Sequence, residues 1–287
     1  MAFREREAAD VPGSPPLLHR KNTVRCTRPR SGVLARKLDF DVLKSSKARE
    51  GCKVSYLLLV ARYSLLPKML YEYEKDNSLR YRYDAEQLWI QPWGENAFRI
   101  RATKAREMPS EDWALQTPAK SDSQITISEH EAIITNGKIK ATLSQRGKLM
   151  VFNQEGEILL EEYHRNRRDV TDPKCSAIEV EAREFKPILG GDYHLTARFE
   201  SVSPKEKIYG MGQYQQDSLD LKGHDLELAQ RNSQASVPFA LSSLGYGLLW
   251  NNPAVGRAVL GKNIMSFEAY STRVLDYWVV AGDTPAE

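Results

Sequence analysis

Residues 207–239, KIYGMGQYQQDSLDLKGHDLELAQRNSQASVPF, hold the densest set of groups able to do chemistry in this chain of 287 residues. Tyr214 offers an aromatic ring with a polar tip. Arg231 offers a planar set of donors, and Asn232 both a donor and an acceptor. Apolar sugar faces laid on rings, and hydroxyls bound by amides or charged groups, are the two physical means of holding carbohydrate. A scaffold role is open to each of these residues as well. Tyr214 can cap a core, Arg231 can pair with Asp225 or Glu227, and Gln213 can satisfy buried backbone. Gly210 and Gly212 fit positive φ or close backbone approach. They do not make a dinucleotide fingerprint, because Gln215 stands at the third glycine position and no helical pattern follows.

Metal chemistry finds little support. The five histidines are scattered without a His-x-x-x-His pair, and Cys26, Cys52 and Cys175 lack ligand spacing. No cofactor is expected. Three cysteines without a framework, no Asn-x-Ser/Thr acceptor and no secretory signal place the chain in a reduced, cytoplasmic setting.

The elements that must position these groups are short strands. Residues 69–74 and 79–83 alternate apolar with charged positions around Asp76-Asn77-Ser78, which reads as a hairpin. Residues 87–91 and 97–102 alternate again about a turn at Pro92-Trp93-Gly94-Glu95-Asn96. A polar connection over 103–122 follows. Between 124 and 200 strands are expected at 124–128, 132–135, 138–144, 149–152, 157–162, 177–185 and 193–199, with Asn136-Gly137 the strongest hairpin signal. After the chemically loaded loop come 237–242, 248–251, 257–260, 264–270 and 272–281. No convincing helical stripe falls within 124–200. The fold class expected is all-β, an antiparallel β-sandwich. Trp250 and Trp278 fall inside strand runs and are expected in its core, whereas Trp89 and Trp93 stay open between core and sugar stacking. Asp283-Thr284-Pro285-Ala286-Glu287 reads as a helix start.

Residues 1–68 differ in kind. They carry 15 Lys/Arg against 6 Asp/Glu, and residues 69–287 carry 26 against 32, so the basic character sits in the first quarter. Its composition predicts a mostly disordered basic extension, with short helices possible only at 38–48 and 54–66. The 54–66 run is too short to span a bilayer. The mildly acidic remainder excludes nucleic acid as a partner of the domain, and no membrane partner is expected. The domain division is therefore 1–68 and 69–287.

At Ile208-Tyr209-Gly210-Met211-Gly212-Gln213 the chain resembles the Tyr-Gly-(Leu/Phe)-Gly-(Gln/Glu) segment of glycoside hydrolase family 31, the α-glucosidases and α-xylosidases. The likeness continues in order through Arg231-Asn232, Val237-Pro238-Phe239, Gly245-Tyr246-Gly247, Leu249-Trp250-Asn251-Asn252, Tyr277-Trp278 and Gly282-Asp283-Thr284-Pro285. Residues 69–201 match in character only, as the galactose-mutarotase-like sandwich that opens such enzymes. The resemblance implies a carbohydrate partner, an α-glycoside, and substrate contacts from Gln213, Tyr214, Arg231 and Asn232. It also implies a catalytic barrel as intramolecular partner, supplying an aspartate nucleophile and an aspartic acid/base. Neither barrel motif occurs in these residues, so no catalytic role falls to Asp217, Asp220 or Asp225, and the chain alone is expected to be inactive. A free-standing carbohydrate-binding module and a truncated, non-functional gene product are the alternatives.

Overall fold

The computed structural model describes residues 70–287, apart from 75, 111–115, 117–120, 169 and 171. The expected basic extension, its two short helices and the domain start at 69 lie outside the described residues. Among those described, eighteen strands form three sheets, and every strand pairing is antiparallel.

The largest sheet has eight strands: β1 (Tyr71–Tyr73), β2 (Leu79–Tyr83), β3 (Glu86–Trp93), β4 (Ala97–Thr103), β12 (Ile208–Gln213), β14 (Ala235–Ser242), β15 (Tyr246–Trp250) and β18 (Leu275–Ala281). Their order is β1-β2-β3-β4-β18-β15-β14-β12. A five-stranded meander runs in chain order through β5 (Ser123–Ile127), β6 (Glu131–Asn136), β7 (Ile139–Ser144), β8 (Leu149–Phe152) and β9 (Ile158–Glu161). The third sheet orders β10 (Arg183–Pro187), β11 (Tyr193–Glu200), β17 (Ile264–Thr272), β16 (Gly256–Leu260) and β13 (Asp225–Leu228) as β10-β11-β17-β16-β13. The two smaller sheets touch where Glu162, just past β9, bridges Phe199 of β11.

Together they cover one face of the eight-stranded sheet. Toward the meander, the Tyr71 and Tyr81 hydroxyls donate to the carbonyls of Leu143 and Gln145 at 3.1 and 3.0 Å. Toward the third sheet, Tyr277 of β18 meets Phe199 edge-on, and Trp250 of β15 stacks on Phe267. These rings are buried, and each contributes about 1.5–3 kcal/mol through apolar area removed from water. The period-2 alternation is explicit in β7, where Ile139, Ala141 and Leu143 are buried and the residues between them are not.

Several local expectations shift. β3 runs through Pro92 instead of ending before it. Its pairing with β2 stops at Ile90, so Pro92 has a ladder partner only on the β4 side, and its missing N–H costs little there. Asn136 is a strand residue, not a turn residue. Its side chain donates to the Gly94 and Ala97 carbonyls, and Gly137-Lys138 closes the hairpin with Gly137 at φ 57°. The alternation over 177–182 does not build a strand. Only Val180 bridges, to Arg165, and Ile178 is exposed. Residues 283–287 make one turn, in which the Glu287 carboxylate accepts the Asp283 N–H at 3.0 Å.

Candidate functional site

Residues 207–239 are not one loop. β12 and β14 pair along the free edge of the eight-stranded sheet, and the chain between them crosses to the other layer to form β13, the edge of the third sheet. The segment therefore straddles both layers at one end of the sandwich. A bulge falls at Gly210-Met211-Gly212, with φ of 94°, 64° and 94°. A Cβ on Gly210 would stand 2.4 Å from the Phe239 carbonyl oxygen, and one on Gly212 2.1 Å from that of Ala235. No other residue type fits, because both the dihedral and the space refuse it. Met211, although left-handed, is fully buried in the core.

A buried polar cluster fixes the base of this segment. The Lys222 ammonium meets Glu206 at 2.6 Å with both side chains buried, and the other Glu206 oxygen accepts the Ser242 and Tyr246 hydroxyls. Burial, then the Glu206 charge, push the Tyr246 hydroxyl far above its ordinary value, so it remains a donor. Asp220 accepts the backbone N–H groups of Ile208 and Lys222.

The four candidate residues gather at the far end. Gln213, exposed, pairs with Ala235 across the ladder. Arg231 and Gln234 close a tight turn with exposed Asn232 at its tip. Arg231 binds the Glu227 carboxylate twice, at 3.0 and 2.6 Å. That hydrogen bonding holds the Glu227 carboxyl below its usual range and the Arg231 guanidinium above its own. The Tyr214 hydroxyl donates to the Glu227 carbonyl and is hydrogen-bonded to the Ser236 hydroxyl, and its ring packs against the core. Tyr214 is thus built as scaffold, Arg231 is half committed, and Gln213 and Asn232 are presented to solvent. Of the three tempting aspartates, Asp220 is spent on backbone and Asp225 on a bidentate pair with Arg257. Asp217 is exposed. Among the described residues no cluster of His, Cys, Asp or Glu could hold a metal ion.

Sequence reasoning missed the outer face of the eight-stranded sheet. Next to the hairpin, Tyr209, Leu241 and Val280 lie in one cross-strand row with Gly247, and Phe239 and Leu249 in the next. The Phe239 ring lies over Gly247, whose added Cβ would come within 2.8 Å of it. Val237 and Phe239 are 54% and 36% exposed, and a cavity of about 380 Å³ opens between this face and Pro285. Further along the same rows, Arg99 makes two hydrogen bonds to Asp276, at 2.9 and 2.7 Å, under the Trp278 ring. Trp278 is therefore buried on the outer face rather than in the core, because Tyr277 beside it takes the inward position. Trp89 carries the guanidinium of Arg80 and Trp93 sets its ring against Trp278, so neither is an open sugar platform. Alternation could not reveal it: β4 and β18 place Arg99, Arg101 and Asp276 at positions that ordinary alternation assigns to solvent, yet all three are buried.

Residues 87–257 match the family model described as the glycosyl hydrolase 31 N-terminal galactose mutarotase-like domain. An uncharacterized family 31 glucosidase of Pseudescherichia vulneris is 49% identical over 222 residues, which cover 75% of this chain and 42% of that protein. Alpha-xylosidase A of Aspergillus niger is 27% identical over 223 residues, covering 71% of this chain and 29% of its own. Among solved structures, a GH31 alpha-xylosidase from a soil metagenome, complexed with xylose, superposes with a TM-score of 0.73 at 50% identity. That match covers 76% of this chain and 33% of the other. The chain spans less than half the length of each of these relatives.

Proposed function

The chain belongs to glycosyl hydrolase family 31, and we propose that its described domain is the N-terminal, carbohydrate-contacting domain of a retaining α-glycosidase of the α-xylosidase or α-glucosidase type. In this reading a catalytic barrel docks on the outer face of the eight-stranded sheet. The barrel supplies the two carboxyls, about 5–5.5 Å apart, that retention requires. The hairpin end reaches the barrel mouth, where Gln213, Arg231 and Asn232 contact the sugar and Tyr214 holds them in place. The domain by itself turns nothing over, and a reduced, cytoplasmic setting completes the proposal.

One observation carries the reading: the exposed polar hairpin end adjoins an exposed apolar face, with Val237 and Phe239 at the boundary. A self-sufficient carbohydrate-binding module would present a polar surface there, and a domain that docks would present an apolar one. The test joins this chain to the carboxy-terminal portion of the Pseudescherichia relative and assays aryl α-xylosides and α-glucosides. The joined protein is expected to hydrolyse one of them, with Phe239→Asp abolishing the activity. Turnover by the purified 287-residue chain would overturn the proposal.

A further inference from the structure

A second polar cleft lies far from the hairpin. It opens where the meander and the third sheet meet, beside the β2–β3 turn, and encloses about 680 Å³. Five strand steps separate β3 from β12, which at about 4.8 Å each is roughly 24 Å. That volume lies within the range of about 300–1,000 Å³ usual for ligand sites.

The lining decides what such a cleft can hold. Six Lys/Arg and five Glu face it, a net of only +1, so no strong field draws an ion of either sign. Most of these charges are spent on each other. Arg183, buried on the floor, contacts Glu162 at 2.5 Å and Glu86 at 2.5 Å, and Arg198 reaches Glu184 at 2.6 Å. What is left is a different set. The Tyr83 ring is 52% exposed. Glu86 uses one carboxylate oxygen on Arg183, and its other oxygen carries no hydrogen bond among the described residues. Asn166 uses its side-chain oxygen on the Arg168 N–H, and its amide nitrogen is a donor that this bond does not use. An exposed ring sharing one cleft with a carboxylate acceptor and an amide donor, where the charges nearly balance, suits an uncharged ligand that has both an apolar face and hydroxyls.

We infer that this cleft is a second carbohydrate site, taking a neutral oligosaccharide across the Tyr83 ring with Glu86 and Asn166 bonding its hydroxyls. The inference goes beyond the hairpin reading and uses none of its residues.

The test titrates the isotope-labelled full chain with maltotriose, isomaltotriose and xylotriose, and with inorganic phosphate, following backbone amides by NMR. A soluble glucan polymer in a parallel arm distinguishes an end-binding from a chain-binding cleft. A neutral oligosaccharide is expected to shift the amides of residues 83–86, 164–166 and 183 in a saturable way. Tyr83→Ala should weaken that binding about tenfold and Tyr83→Phe less than about threefold, both remaining folded because the side chain is exposed. Asn166→Ala supplies a second variant that leaves the ring in place. Three results overturn the inference: no saturable shift with any sugar, phosphate displacing or replacing the sugars, or Tyr83→Ala leaving affinity unchanged. Shifts confined to 213–214 and 231–234 would also overturn it while supporting the hairpin reading. Shifts confined to the cleft would do the reverse.

Discussion

Replacing Lys222 with Met tests how firmly the signature segment is held. The substitution keeps most of the side-chain stem, so the cavity term is small. It strands the Glu206 carboxylate, which is 3% exposed, without its cation. Breaking a buried pair in this way costs about 3–5 kcal/mol. Two hydroxyls, from Ser242 and Tyr246, still donate to Glu206, which puts the expected loss near the lower figure. For a domain of this size about 3 kcal/mol lowers Tm by on the order of 10 °C. Urea unfolding followed by tryptophan fluorescence reads the loss directly, since Trp250 is buried in the same core. The double variant Glu206→Gln/Lys222→Met removes both charges and keeps an acceptor for the hydroxyls, so it should recover all but about 1 kcal/mol. A single variant costing under about 1 kcal/mol, or a double variant no better than the single, would refute the reasoning.

Other substitutions probe separate links. Gly212→Ala should cost about 2 kcal/mol or more, because its φ of 94° and the Ala235 carbonyl both oppose a Cβ; thermal unfolding measures it. Tyr214→Phe should cost about 1 kcal/mol of stability, since its hydroxyl is spent on Glu227 and Ser236; urea unfolding measures it. The hydrogen bonds from Arg257 hold the Asp225 carboxyl below its ordinary range, so its contribution is present above about pH 4 and lost as pH falls through the depressed value. The Tm difference between the wild type and Asp225→Asn should therefore stay constant from about pH 7 to 5 and shrink below about pH 4.

The strand framework was legible because alternation and turn chemistry are local. β6 and β7 read directly from period-2 burial, and the hairpin at 136–139 from its glycine. What failed depended on neighbours distant in sequence. Pro92 stays in a strand only because the ladder to β2 stops at Ile90, and 177–182 stays irregular because Ala182 and Val180 bond outside any ladder. Residues 207–239 looked like one loop because glycine and polar residues dominate them. They form three strands because the bulge at Met211 and the crossing to β16 use those residues as geometry. The four candidate residues lie together at one end of the sandwich, but Tyr214 could be separated from Gln213 and Asn232 only once Glu227 and Ser236 were seen beside it. The Arg99–Asp276 pair joins residues 177 positions apart, which periodicity cannot register.

Hydroxyl-radical footprinting of the domain, alone and joined to a family 31 catalytic portion, tests docking on the outer face most directly. The account predicts that Tyr209, Val237, Phe239 and Leu241 lose reactivity on joining, while Tyr73 and Tyr270, exposed elsewhere, keep theirs. Unchanged reactivity at Val237 and Phe239 in an active joined enzyme would contradict it.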